Sequence, residues 1–158
     1  MSTARDLTFM DIFPTGNKHN YEAPCQITLK HSGQIKPIGK LIYKGDHIHV
    51  HKTCELDLTA DIEIHEYTNI SGDVKIFTHR HHWNHSRDRR GKIEIIEPVK
   101  LVIEEDVYVG RCATIIGVER IGKGAIIGGC AVLTKNVAPY EVWAGNPARK
   151  INERKDDT

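Results

Sequence analysis

From Ile103 to Leu133 an aliphatic residue returns every six positions: Ile103, Val109, Ile115, Ile121, Ile127 and Leu133. In four of these blocks the next residue is small or acidic, at Glu104, Gly110, Gly122 and Gly128. A period of six fits neither the 3.6 of a helix nor the two-residue alternation of a strand. It fits a coil with short straight flats, in which each block gives one side chain to a shared interior column. Val107, Ala113, Ala125, Ala131 and Val137, four residues into their blocks, are small or aliphatic, as a tight corner requires. Three blocks per turn then close a triangular prism, an all-β parallel coil.

The same step is present earlier, at Leu58, Ile64, Ile70 and Ile76, with Ile62 and Val74 at the corner and Thr68 small enough to join them. From Ile76 to Ile103 the separation is four and a half blocks, so a loop must leave the coil there. That excursion spans 78–100. It contains the aliphatic-free stretch HRHHWNHSRDRRGK and merges into the edge-like run IEIIEPVKLVI. Ahead of the six-step, Leu41 to His51 alternates apolar and polar residues around a Gly-Asp turn, which places the coil at 41–137. Residues 1–40 show no period, are broken by Pro14, Gly16, Pro24, Gly33, Pro37 and Gly39, and are expected to cap an open coil end. After Thr134-Lys135-Asn136, Pro139 and the Gly145-Asn146-Pro147 turn lead a short C-terminal extension, 138–158, away from the prism.

A chain of 158 residues is most simply one domain. Its net charge of +1 gives no argument for a nucleic-acid or membrane-surface partner. No run approaches the roughly 18 apolar residues of a bilayer span, and the N-terminus lacks an apolar leader, so a soluble, cytoplasmic protein is expected. Cys25, Cys54, Cys112 and Cys130 are far apart without a C-x-x-C pair and read as buried free thiols. An aromatic content of 6% and a thin coil give a narrow core, so stability requires burying a side of the prism against another copy. Three flat sides suit a closed three-fold ring, and a homotrimer is predicted.

Chemistry concentrates in Thr78-His79-Arg80-His81-His82-Trp83-Asn84-His85, where four histidines fall within seven residues as the loop leaves the coil. Such a run can be a solvated loop, a metal site or a source of a general base.

The run VYVGRCATIIG, continued by IGKGAIIGGCAVLTKNVAPYEVWAGNPARKI, resembles the C-terminal half of the hexapeptide-repeat acyltransferases, the group of the galactoside and maltose O-acetyltransferases. The resemblance covers about residues 56–151, and its T-K, apolar-P and A-G-N-P-A-[RK] tail is specific. It implies a left-handed parallel β-helix and acetyl-CoA as acyl donor, with no metal required. In those sugar acetyltransferases the base is a His closing the strand before an excursion loop, with a V-[WY]-[IV]-G block about twenty residues later. Here these are His79 and Val107-Tyr108-Val109-Gly110, with His81, His82 and His85 as the other candidates. The resemblance also places Gly110, Arg111, Gly128, Gly129, Thr134 and Lys135 along the pantetheine arm or nucleotide end, with Arg149 and Lys150 near the phosphates. The bland readings are turn geometry for the glycines and solvated charge for Lys135 and Arg149. For the acceptor, His49, His51 and Asp57 stand roughly where polar groups belong, Trp83 can stack on a sugar ring, and Tyr108 replaces a frequent Trp.

An acetyl thioester is already activated, so what remains is to make an acceptor hydroxyl nucleophilic, which imidazole can do with a pKa of about 6.5. Its other nitrogen should be held by a carbonyl or carboxylate. A backbone N–H of a turn would meet the oxyanion, and transfer is expected to be direct, in a ternary complex. A covalent role for Cys112 is set aside as a groove-facing or packed small residue. Three features depart from the family pattern. Glu119 occupies a normally small position, so the register shifts by one there. Arg111 stands beside the thioester, and an N-terminal helical acceptor region is missing or replaced. The expected activity is O-acetylation of a sugar or glycan. The competing readings are N-acetylation of an amino sugar, a zinc protein like the γ-type carbonic anhydrases built on His49, His65, His79 and His85, and a non-catalytic trimeric scaffold.

Overall fold

A computed structural model describes residues 39–81 and 96–155. The chain winds through four turns. The first lays β1 (Leu41–Lys44), β2 (His49–Val50) and β3 (Glu55–Asp57) on three successive faces; the second lays β4 (Ile62–His65), β5 (Asn69–Ile70) and β6 (Lys75–Phe77) in parallel register beside them. Then β7 (His79–His81) leaves the coil and pairs antiparallel with β8 (Ile96–Pro98). The third turn is β9 (Leu101–Ile103), β10 (Tyr108–Val109) and β11 (Thr114–Ile116), and the fourth β12 (Arg120–Ile121), β13 (Ile126–Ile127) and β14 (Val132–Leu133). A fifth rung, β15 (Glu141–Ala144), adds to β13, and β16 (Arg149–Glu153) folds back antiparallel upon it. The three resulting ladders are called here the first, second and third faces. No helix among the described residues is long and apolar enough to cross a membrane.

Inward columns run up each face: Tyr43, Ile64, Ile103 and Ile121 on the first, Val50, Ile70, Val109 and Ile127 on the second, and Leu56, Ile76, Ile115 and Leu133 on the third. All but Tyr43 and Val50 at the open end are buried, each burial contributing about 1.5–3 kcal/mol. The structure corrects the early register. Leu56 aligns with Ile76, and Leu58, though buried, lies at the corner after the column. Eight residues separate Leu56 from Ile64 instead of six, so the apparent step from Leu58 is a coincidence of spacing. Val137, assigned to a corner by count, instead bridges Ile121 as the top of the first column.

Corners have their own six-step. Asp106, Cys112, Gly124 and Cys130 all have positive φ, between 57° and 66°, and the last three stand at the third position of turns closed by the Ala113, Ala125 and Ala131 N–H groups on Gly110, Gly122 and Gly128. This overturns the expectation of uniformly buried thiols: Cys54 is buried, whereas Cys112 and Cys130 sit on the outside of the corner and are exposed. Cys25 lies outside the described residues. In the departing block the positive φ comes at Gly117, one position early, Val118 takes the buried place and Glu119 points outward. The expected shift by one is therefore confined to that corner, and Ile121 returns to the column.

Thr68 and Thr78 are the buried polar residues of the described chain. The hydroxyl of Thr68 donates to the Glu104 carbonyl at 3.0 Å, linking corners of neighbouring turns.

Candidate active site

The third face ends at Asp57 on the first turn and at Phe77 directly above it, where the chain departs into β7. Thr78 anchors that departure: its hydroxyl donates to the Asp57 carbonyl at 2.6 Å and accepts the Ala60 N–H at 2.9 Å, while its carbonyl accepts the Val99 N–H at 2.8 Å. Both ends of the excursion are thus tied to one buried threonine.

Asp57 is oriented on both carboxylate oxygens. Oδ1 accepts the Thr59 hydroxyl at 2.8 Å and its N–H at 3.2 Å; Oδ2 accepts the Thr78 N–H at 3.2 Å and faces Nδ1 of His79 at 2.6 Å. Expected near the acceptor, Asp57 instead holds the histidine. The His79 ring also meets Phe77 edge to face, with centroids 6.3 Å apart, and about four-fifths of its side chain is buried. A carboxylate on Nδ1 fixes the tautomer and leaves Nε2 as the basic atom. Nε2 lies 3.0 Å from Nε2 of His81.

Alternation along β7 places His79 and His81 on one side and Arg80 on the other. Arg80 Nε donates to the Gly117 carbonyl at 2.9 Å, and its guanidinium pairs with Glu119 at 3.0 Å and Glu97 at 3.6 Å. A Cβ on Gly117 would lie 2.6 Å from Arg80 Cγ, so the irregular corner is shaped as the seat of this arginine. The Arg80 hydrogen bond, followed by Asn136, holds the Glu119 carboxyl below its ordinary range. Glu119 therefore secures the excursion.

The other residues singled out from the sequence divide between two edges of the third face. His51, Gly110, Arg111, Gly128 and Gly129 stack on the edge shared with the second face; Thr134 and Lys135 follow Leu133 on the opposite edge, above Asp57 and His79. Three residues of strand separate the edges, about 10 Å. A Cβ on Gly110 would lie 2.5 Å from the Gly129 nitrogen, so this glycine is required by rung stacking, the bland reading. Gly129 is exposed, and a Cβ there would lie 3.3 Å from the Arg111 carbonyl oxygen, a tight contact that a shift of a few tenths of an ångström relieves. Arg111 reaches down the edge to Asp73 through Nε at 3.0 Å and Nη2 at 2.8 Å; this hydrogen bond raises the arginine and lowers the aspartate relative to their ordinary ranges. With 74% of its side chain exposed, the pair is weak and easily exchanged.

His49 and Tyr108 lie outward on the second face, Tyr108 accepting the Ser71 hydroxyl at 3.2 Å, and His51 Nδ1 lies 2.9 Å from the Thr53 hydroxyl. None of these three is in the hydrogen-bonded group around His79. At the far end, Lys150 contacts Glu141 at 3.0 Å and also Glu153, whose hydrogen bond first and Glu141 second raise its pKa. Arg149 donates to the Ala148 carbonyl at 2.8 Å. Lys150 is thus occupied by carboxylates, while Arg149 is exposed. Trp83, His82 and His85 lie outside the described residues. Among the described residues no three His, Cys, Asp or Glu side chains are grouped so as to hold a metal ion.

Residue counting alone missed the Thr59 and Thr78 brackets on Asp57, the Arg80 anchor and the His79–His81 contact. The spacing His79-Arg80-His81 did carry the last two, since a strand sends alternate side chains to opposite sides.

Three parallel ladders closed into a prism by a six-residue step make a left-handed β-helix, the fold this chain shares with solved hexapeptide-repeat acetyltransferases. No protein-family model matches the chain. It is 45% identical over 56 residues to a chloramphenicol acetyltransferase of Klebsiella aerogenes, covering 35% of this chain and 27% of that protein. Among solved structures it matches a hexapeptide-repeat acetyltransferase from Vibrio cholerae, with 26% identity and a TM-score of 0.63 over 73% of this chain and 64% of that one. A galactoside acetyltransferase in complex with coenzyme A matches in fold at TM-score 0.59 and 23% identity, over 75% of this chain and 56% of that one. The chain spans about a quarter of the length of the curated relatives it matches.

Proposed function

We propose that this chain is an acetyltransferase that moves the acetyl group of acetyl-CoA to a hydroxyl of a sugar or glycan, with His79 as general base. The observation that carries the reading is the Asp57–His79 pair at 2.6 Å, buried on one side and bracketed by Thr59 and Thr78 where the excursion leaves the coil. In the reaction Nε2 of His79 takes the acceptor O–H proton as the oxygen attacks the thioester carbonyl. The carbon–sulfur bond breaks, and the proton passes to the departing thiolate to give CoA-SH. The developing imidazolium is stabilised by Asp57. A backbone N–H of a turn would meet the oxyanion. No covalent acetyl-enzyme is required.

The donor would run along the glycine edge, over Gly110, Gly128 and Gly129, with Arg111 and Arg149 as polar contacts of its own copy and Thr134 and Lys135 reaching it from the His79 edge of the neighbouring copy. In one copy that edge and the His79 edge are separated by a whole face, so the working site would be a seam between copies in a homotrimer. The complex of the galactoside enzyme with coenzyme A supports the choice of donor. His49, His51, Tyr108 and Trp83 remain the acceptor candidates. The test is acetyl-CoA-dependent transfer over a panel of sugars and amino sugars. Transfer to hydroxyls that persists in His79→Ala would remove the base assignment, and transfer to amines alone would replace O- by N-acetylation.

A further inference from the structure

Two ring nitrogens 3.0 Å apart, as Nε2 of His79 and Nε2 of His81 are, share one proton between them. Asp57 decides which ring owns it. Its carboxylate can only accept, so Nδ1 of His79 carries a proton, and in the neutral form that a general base requires Nε2 is then an acceptor. The shared proton therefore belongs to His81. The ring planes stand 79° apart with centroids 4.8 Å apart, and the two Nε2 atoms are the hydrogen-bonded pair between them. The arrangement is secured by pairing of His79 with Pro98 and of His81 with Ile96, and by Arg80 on the other side of the strand.

We propose that His81 caps the base. Its Nε2–H occupies the lone pair with which His79 would take a proton, so that water cannot use it, and an acceptor hydroxyl must displace His81 before attack. The proposal rests on the reading of His79 as base. Without the cap, water would stand where the acceptor belongs. His79 would take a water proton as the hydroxide oxygen bonds to the acetyl carbon, and return it to the thiolate, giving acetic acid and CoA-SH. Such loss is the hazard of activating a base beside a thioester, and sealing the base until the acceptor arrives is a way of avoiding it. His81 is thus a positioning residue that governs acceptor against water.

Two measurements test this. Long-range proton–nitrogen correlation spectra of the intact protein at neutral pH should show His79 protonated on Nδ1 and His81 on Nε2; a proton on Nε2 of His79 would overturn the cap, and this needs no variant. Thiol release from acetyl-CoA without acceptor should rise at least several-fold in His81→Phe, stay near the unsubstituted level in His81→Gln, whose amide can still donate, and fall to background when His79→Ala is added to His81→Phe. Hydrolysis unchanged in His81→Phe, with sugar transfer still dependent on His79, sinks the capping role and leaves the base in place. Transfer independent of His79 sinks both.

Discussion

At the residue scale the candidate site rests on one charge-assisted contact, and its parts make separable predictions. His79→Ala should lower acetyl transfer about 10²–10⁴-fold with little change in fold, because a general base contributes in that range and the ring is held at the coil's edge rather than in its column. Asp57→Asn should also lower kcat while leaving the KM for acetyl-CoA nearly unchanged, since Asp57 acts through the imidazole. Steady-state kinetics on both substrates reads the difference, and a shift confined to the donor KM would contradict it. The glycines separate in the opposite way. Gly110→Ala should destabilise by about 1–3 kcal/mol through overpacking against the Gly129 nitrogen. Gly129→Ala should melt close to the unsubstituted protein yet raise the KM for acetyl-CoA, as its Cβ would project onto the proposed donor surface. Equal melting shifts in the two would show that neither surface is a groove.

At the scale of elements, β7 and β8 are tied to the coil through Thr78 and Arg80. Gly117→Ala places a Cβ in a positive-φ corner, at about 1–2 kcal/mol, and against Arg80 as well. Amide exchange should therefore accelerate in β7 and β8 more than in β11 or β14, and uniform acceleration would argue that the corner serves the coil alone. Two carboxylates, Glu63 on the first face and Glu141 on β15, predict a pH response. Lys100 first, and His65 second, hold the Glu63 carboxyl below its ordinary 4.5 through hydrogen bonds, and Trp143 first does the same for Glu141. A depressed folded pKa stabilises above the unfolded value and is lost as pH falls through the folded one. Melting temperature should thus fall as pH drops below about 4.5, and fall less in Glu63→Gln, which retains no ionisable group there. What could be read from the chain follows the same division. The six-step from Ile103 to Leu133 fixed the columns because each block is six residues long, while His79 was singled out among four loop histidines by the resemblance, in which the base closes the strand before the excursion. The first turn was misread at Leu58 because irregular corners change spacing without changing composition, and the Asp57 contact joins residues 22 apart that only the winding brings together.

For the whole molecule, the outward rows of the three faces differ in a way that bears on assembly. The first face is laced with ion pairs, Glu63 with Lys100, Glu104 with Arg120 and Glu105 with Lys123, all satisfied within one copy. The third face instead sets Phe77 beside Ile116, exposed at 39%, at the edge that bears His79. An apolar pair at the edge that bears the proposed base fits a seam between copies, with the charged face left to solvent. The protein should therefore have about three times the chain mass by light scattering. Ile116→Asp, whose carboxylate would be buried without a partner in that seam, should shift it toward monomer. Because Ile116 touches no group of the proposed chemistry, activity should fall with the trimer fraction and recover as protein concentration is raised. A monomeric Ile116→Asp with undiminished transfer would show that one prism suffices, and the donor would then have to cross the third face of a single copy to reach His79.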